Sequence, residues 1–218
     1  MKKEGVSRTI YYESSEKLSP KWIKWIDKNS VSHTFADGKG EIVLKDSVTE
    51  IGEGAFSWFS NLAPIAIPDS VTEIGDEAFD NCISLKSIVI PNSVTKIGKG
   101  AFTCCLKLTS VVIPNSVKKI GRSAFACCSR LASVNIPNSV KKIETDAFLE
   151  CFSLASIVIP DSVTEIGKRA FYNCENLQSI VIPDSVTKIG ECAFYVCDKL
   201  PKETKEKILS INPEAFDE

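Results

Sequence analysis

The sequence predicts an α/β solenoid, and three observations carry that prediction. Isoleucine-proline recurs every 23 residues without insertion or deletion, placing Pro68, Pro91, Pro114, Pro137, Pro160 and Pro183 in one register. Each copy holds a stretch of strand-like alternation, as in Ser87-Ile88-Val89-Ile90-Pro91, where Ile88 and Ile90 point one way and Ser87, Val89 and Pro91 the other. Each also holds a stretch in which apolar residues fall three apart, as Phe102, Cys105 and Leu108 do, which is one face of a short helical turn. A fixed period of about 20 to 50 residues marks a stack of units that bury their apolar faces only against their neighbours. Function is therefore to be sought on surfaces that run across repeats.

The elements follow in chain order. Residues 1–41 do not fit the repeat. Ser19-Pro20 is a helix start signal, and Trp22, Ile23, Trp25 and Ile26 make one apolar stripe, so a helical cap over the open end of the core is expected. Residues 42–200 form the solenoid of about seven repeats, opening with a degenerate copy at Lys45. Within each copy the order is strand, a turn through S-V-T-x-I-G, and a short helix or turn. The glycines of that turn, Gly52, Gly75, Gly98, Gly121, Gly167 and Gly190, are expected to supply a positive φ. Residues 201–218 close the other end: after Pro201, KETKEKILSI reads as a helix with Ile208, Leu209 and Ile211 as its apolar contacts.

The expected core of one repeat is Val94, Ile97, Ala101, Phe102, Cys105, Leu108, Val111 and Ile113. Of the 9 cysteines, Cys82, Cys105, Cys128, Cys151, Cys174 and Cys197 share one column, and there cysteine acts as a small buried hydrophobe. Cys104 and Cys127 sit in a more exposed column and are the better disulfide candidate, since strand neighbours about 4.8 Å apart lie within bridging distance. There is no C-x-x-C and one histidine, His33, so no metal site is expected.

The pattern L-x-x-I-x-I followed by P-x-S-V-T-x-I-G-x-x-A-F-x-x-C, kept from residue 42 to 200, resembles the leucine-rich repeats of the BspA-like family. The resemblance implies a curved, right-handed solenoid with parallel strands on the concave face and short helices or turns on the convex face. It further implies a surface or secreted protein that attaches to host extracellular proteins or other cells. Departures from the pattern are Lys45 for proline, Phe59 for cysteine, Pro64 for serine and, internally, Glu144 for glycine. Were the glycine column to need a positive φ, Glu144 would carry a strain of about 1–3 kcal/mol.

Two surfaces are candidates for function. The outward columns of the strand face hold Ser87, Ser110, Ser133, Ser156 and Ser179, then Val89, Val112, Asn135, Val158 and Val181, then the prolines. This uncharged, small-residue stripe is a candidate protein-binding face, with Asn135 the residue best able to make a directed hydrogen bond. The second surface is basic and hidden by a net charge of -2: from Asn81 to Ile143 there is no acidic residue. Folded onto repeats, Lys96, Lys119 and Lys142 form one column, Lys118 and Lys141 the next, and Lys99 and Arg122 lie just beyond the glycine. Such a lateral patch suits a sulfated glycan or an acidic protein.

Other classes find little support. No aromatic residue is interleaved with the basic columns, so nucleic acid is not expected. No apolar run approaches the length of a membrane span, and Met1-Lys2-Lys3-Glu4-Gly5 leads into polar sequence, so neither an anchor nor a secretory signal is expected. His33 lacks a catalytic context and glycines occur singly, so neither an enzyme nor a cofactor is expected. The overall expectation is a non-enzymatic, monomeric interaction scaffold, with a purely structural spacer as the bland alternative.

Overall fold

The computed structural model describes residues 8–15, 24–62 and 65–217. The expectations placed on Ser19, Pro20, Trp22, Ile23 and Pro64 lie outside the described residues.

Each repeat contributes two short strands to the stack. The first ladder comprises β5 (Ile65–Ala66), β7 (Ile88–Val89), β9 (Ser110–Val111), β11 (Ser133–Val134), β13 (Ser156–Val158) and β15 (Ser179–Val181). Pairing is parallel between residues 23 apart, as in Ile65 with Ile88 and Ser133 with Ser110. The second ladder comprises β4 (Glu50–Ile51), β6 (Glu73–Ile74), β8 (Lys96–Ile97), β10 (Lys119–Ile120), β12 (Lys142–Ile143), β14 (Glu165–Ile166) and β16 (Lys188–Ile189). It occupies the segment expected to be a plain turn.

The segment expected as a short helix is a run of turns instead. Its N–H groups do not bond four residues back within the repeat. Alternate ones reach forward to the next repeat, as in Phe79 N to Ala101 O and Phe102 N to Ala124 O, both at 2.8 Å, while those between bond three residues back, as Asp80 N does to Glu77 O at 3.0 Å. Two residues per turn run take a left-handed conformation to aim these groups: the column of Glu77, Ser123, Asp146, Arg169 and Cys192, and that of Asn81, Cys104, Cys127, Glu150 and Asn173. The positive φ therefore does not fall on the conserved-position glycines from Gly52 to Gly190; of the repeat glycines only Gly54 and Gly100 show it. Those other glycines are required by close approach: a Cβ on Gly121 would lie 2.5 Å from the carbonyl carbon of Gly98.

This arrangement explains why Glu144 carries no left-handed strain and what it does instead. A side chain in that column cannot close on the repeat before it. The ladder bonds Gly98 N to Ile74 O (2.8 Å), Gly121 N to Ile97 O (2.9 Å) and Gly167 N to Ile143 O (2.8 Å) have no counterpart from Glu144 N to Ile120 O. Accordingly the second ladder divides into β10-β8-β6-β4 and β12-β14-β16.

The core is one continuous cluster. Phe56, Phe79, Phe102, Phe125, Phe148, Phe171 and Phe194 stack with ring centroids 5.2 to 5.7 Å apart. The six cysteines of the core column are buried and free. Each donates its thiol to the phenylalanine carbonyl 26 residues earlier, as Cys128 does to Phe102 O at 3.1 Å. The column takes cysteine because it is small and also adds a second hydrogen bond to a carbonyl that already accepts a main-chain N–H, as Phe102 O does from Cys105 N. Pro68, Pro91, Pro114, Pro137, Pro160 and Pro183 are buried, not outward-facing as their alternation had indicated.

At the N-terminal end the helix α1 (Lys24–Asn29) is joined by an antiparallel sheet of β1 (Thr9–Glu13), β2 (Ser30–Ala36) and β3 (Lys39–Leu44) in the order β2-β3-β1, which continues into β5. Helix was expected here, sheet was not. Trp25 lies 6.5 Å from the Phe56 ring and covers the end of the phenylalanine stack. At the other end α2 (Lys202–Ile211) buries Ile208; Ile211 packs partly on the core, while Leu209 is exposed. The chain closes with Ala215 and Phe216 standing in for one more Ala-Phe pair: Phe194 N bonds Ala215 O at 2.8 Å and Phe216 sits 6.0 Å from Phe194.

Candidate functional site

The first ladder positions the strand-face candidates. Because side chains alternate along a strand, burying Ile88, Val111, Val134, Ile157 and Ile180 turns their neighbours outward. Val89, Val112, Val158 and Val181 are 69, 73, 72 and 67% exposed, and Ser87, Ser110, Ser133, Ser156 and Ser179 beside them are also exposed. Pairing joins Ala66 to Val89, Val89 to Val112, Asn135 to Val158 and Val158 to Val181, so the columns form a row.

Asn135 is exposed, yet its amide is already occupied. Its Nδ2 donates to Ile113 O at 2.8 Å and its Oδ1 accepts from Ile113 N at 2.9 Å. The side chain imitates a strand peptide toward the preceding repeat. It is thus a structural link, where the sequence suggested a contact waiting for a partner.

The structure adds a residue that the sequence reading missed. Tyr11 of β1 pairs with Ala66 of β5, extending the row beyond the repeats, and it is 55% exposed. Beside it Tyr11, Ile65, Ala66, Ile88 and Val89 line a cleft of about 340 Å³, with Glu13 and Lys39 at its margin. The alternation of Thr9-Ile10-Tyr11-Tyr12-Glu13 was the available signal.

The second ladder positions the basic candidates, and it neutralises part of them. Lys96 pairs with Glu73 at 3.0 Å, Arg122 with Asp146 at 3.0 Å, and Lys142 with Glu165 at 2.9 Å and Glu144 at 3.6 Å. The hydrogen bond that Lys96 donates to Glu73 raises the Lys96 pKa, and the one that Lys142 donates to Glu165 raises the Lys142 pKa. Asp146 is buried between Arg122 and Arg169, the latter 2.8 Å away. Among the described residues Lys99, Lys118, Lys119 and Lys141 have no carboxylate partner. Lys96 and Lys119 lie directly opposite each other in the parallel pairing of β8 and β10.

Cys104 and Cys127 are both free and half-buried. Burial, then the Cys104 and Glu150 charges, pushes the Cys127 thiol up to about 12. Tyr12 Oη lies 2.6 Å from His33 Nε2, which ties the histidine into the N-terminal sheet. Among the described residues no group of histidine, cysteine and acidic side chains is arranged to hold a metal ion, and no helix is long and apolar enough to cross a membrane.

Residues 32–155 and 141–218 match the BspA type leucine rich repeat region, in 6 copies. The chain belongs to this family. BspA-type repeats are generally protein-interaction scaffolds and typically non-enzymatic. Solved leucine-rich repeat structures agree with the architecture. The chain is similar to the leucine rich repeat protein of T. pallidum at 34% identity, covering 78% of this chain and 80% of that one with a TM-score of 0.74. It is similar to a leucine rich cell surface protein of Faecalibacterium prausnitzii at 39% identity and a TM-score of 0.65, covering 79% of this chain and 45% of that one. A leucine-rich repeat protein of Bacteroides ovatus shares the fold at 24% identity, with 91% and 57% coverage and a TM-score of 0.58. No curated protein sequence matches the chain.

Proposed function

We propose that this BspA-type solenoid is a non-enzymatic adhesion scaffold that binds an extracellular or cell-surface protein, such as one of a host, through its strand face. The observation that carries the reading is the row from Tyr11 through Ala66, Val89 and Val112 to Val158 and Val181, whose valines remain about 70% exposed. Exposed β-branched side chains held rigidly at strand spacing offer a partner apolar surface without an ordering cost on this side. The name of the Faecalibacterium prausnitzii relative supports a surface location. The described cap elements, α1 with β1, β2 and β3 at one end and α2 at the other, support a monomer whose core ends are covered.

The test is capture from a panel of extracellular matrix and cell-surface proteins. Val89→Lys, Val112→Lys and Val158→Lys combined should abolish capture while leaving the circular dichroism spectrum unchanged. Capture of every partner by the triple variant at the wild-type level would reject the strand face.

A second reading is favoured by the four cations without carboxylate partners: binding of a polyanion, a sulfated glycan or an acidic protein, at the lateral face. It predicts retention on heparin that salt abolishes and that Lys118→Glu with Lys141→Glu weakens. Retention indifferent to salt and to both changes would exclude it.

A further inference from the structure

The residues immediately after the second-ladder glycine column are Glu53, Asp76, Lys99, Arg122, Thr145, Lys168 and Glu191. At one step of this row the Asp76 carboxylate reaches across one repeat and accepts the main-chain N–H of Lys99 at 2.8 Å. One repeat further, the equivalent donor is the N–H of Arg122, and the residue in the place of Asp76 is Lys99. An ammonium group cannot accept a hydrogen bond. Among the described residues no acceptor meets the Arg122 N–H, nor those of Asp76, Thr145, Lys168 and Glu191, so Lys99 is the exception in the row and the Arg122 step is set apart by the charges around it.

A cleft of about 390 Å³ lies here, lined by Lys96, Lys99, Lys119 and Arg122, with Asp76 and Glu144 also on its wall. Lys96 and Arg122 have their partners in Glu73 and Asp146, which leaves Lys99 and Lys119 uncompensated. The floor is kept bare by glycine: a Cβ on Gly121 would stand 2.6 Å from the main-chain nitrogen of Lys99.

We propose that this cleft binds a sulfate ester of a glycan, seated over the Arg122 N–H as the Asp76 carboxylate is seated over the Lys99 N–H. The protein thus carries its own template for an oxyanion at one step of the row and leaves the next step open. A sulfate ester has three terminal oxygens, enough for the amide, Lys99 and Lys119 at once, and it stays charged at every physiological pH. Asp76 and Glu144 repel a longer run of anions, so the site takes one compact group instead of a chain tracking the whole basic face. This inference rests on the polyanion reading for the sign of the ligand and adds its position and chemistry.

The experiment is a nitrogen-15 amide titration of the full chain with a sulfated disaccharide, its desulfated form, and an acidic peptide of equal charge. The sulfated sugar should shift the Arg122 amide, the desulfated sugar should not, and the peptide should bind about tenfold more weakly. Lys99→Asp restores an internal carboxylate: it should move the Arg122 amide without ligand and lower affinity about tenfold or more, the scale of a lost charge-assisted hydrogen bond. Leu209→Gln, exposed on α2 and outside both proposed binding faces, should leave the titration unchanged. Wild-type affinity in Lys99→Asp, or an Arg122 amide unmoved at saturation, overturns this site while heparin retention would still uphold the broader reading; absence of both retention and titration rejects the two together. A peptide that binds as tightly as the sugar overturns the glycan assignment.

Discussion

At the scale of the residue, the cysteine column shows how one position can serve packing and hydrogen bonding together. A larger side chain would overfill the space, and alanine would leave the phenylalanine carbonyl with its main-chain donor alone, as Phe102 O would keep only Cys105 N. Burial pushes Cys197 up to about 12 and Cys105, Cys128, Cys151 and Cys174 well above the ordinary thiol value. The folded state therefore keeps these protons where an unfolded chain begins to release them, near pH 8.5. Above that pH the unfolded state binds fewer protons, so stability is fully present below it and falls as pH rises toward the folded pKa. The slope is about 1.4 kcal/mol per pH unit for each buried thiol. Urea midpoints measured from pH 7 to 10.5 should decline, and Cys128→Ala, although less stable at neutral pH, should decline less steeply. A flat profile would show that the thiols are not buried as described. The phenylalanine stack offers a second measure at this scale: Phe125→Ala should cost about 3–5 kcal/mol by equilibrium unfolding, as large-to-small core changes do.

At the scale of the element, Glu144 marks the one break in the second ladder. Neither Lys141 nor Glu144 bonds back to the preceding repeat, although Thr164 N bonds Lys141 O at 2.9 Å and Gly167 N bonds Ile143 O at 2.8 Å on the other side. Replacing Glu144 by glycine removes the side chain that prevents closure. Regained backbone bonds contribute about 0.5–1.5 kcal/mol each, against about 0.5–1 kcal/mol for the added flexibility of glycine. Glu144→Gly should thus raise stability by about 1 kcal/mol and slow amide exchange at Lys141 and at position 144. Unchanged exchange at both would assign the break to another cause. The elements also show what the sequence disclosed and what it withheld. The first ladder was legible because Ile88, Val89 and Ile90 alternate over enough residues to be seen. The second was not, because two residues such as Lys96 and Ile97 carry no measurable period. The three-residue spacing of Phe102, Cys105 and Leu108 identified the buried face correctly but not its backbone, since turns that bond forward to the next repeat bury the same positions as a helix. Tyr11 escaped notice because the alternation from Thr9 to Glu13 marks a strand but not its partners, and pairing with β3 and β5 is what sets Tyr11 beside Ala66. Asn135 was found as an exception in the valine column, but the direction of its amide is a property of the assembled stack.

At the scale of the whole molecule, stability is shared between neighbours, and the caps are the parts that the stack cannot lose. The register makes this testable because two segments of the chain are interchangeable. Deleting residues 69–91 joins Pro68 to Asn92 and restores the local order Pro-x-Ser-Val-Thr. In the shortened protein Phe56 meets Phe102 as Phe56 now meets Phe79, and Lys96 meets Glu50 in place of Glu73, so neither the aromatic stack nor the ion-pair row is interrupted. The variant should fold, retain its β-sheet spectrum and lose denaturant sensitivity in proportion to the smaller surface exposed on unfolding. Removing residues 201–218 takes away fewer residues but withdraws Glu214 O and Ala215 O from Cys192 N and Phe194 N, and uncovers the Phe194 ring. An open solenoid end with unpaired backbone groups and a bare aromatic face is an aggregation site. Size-exclusion chromatography should therefore find the repeat deletion monomeric and the cap deletion associated. The reverse outcome would mean that the repeats do not form an exchangeable nearest-neighbour stack, and that the strand face is not the continuous surface on which the proposed adhesion depends.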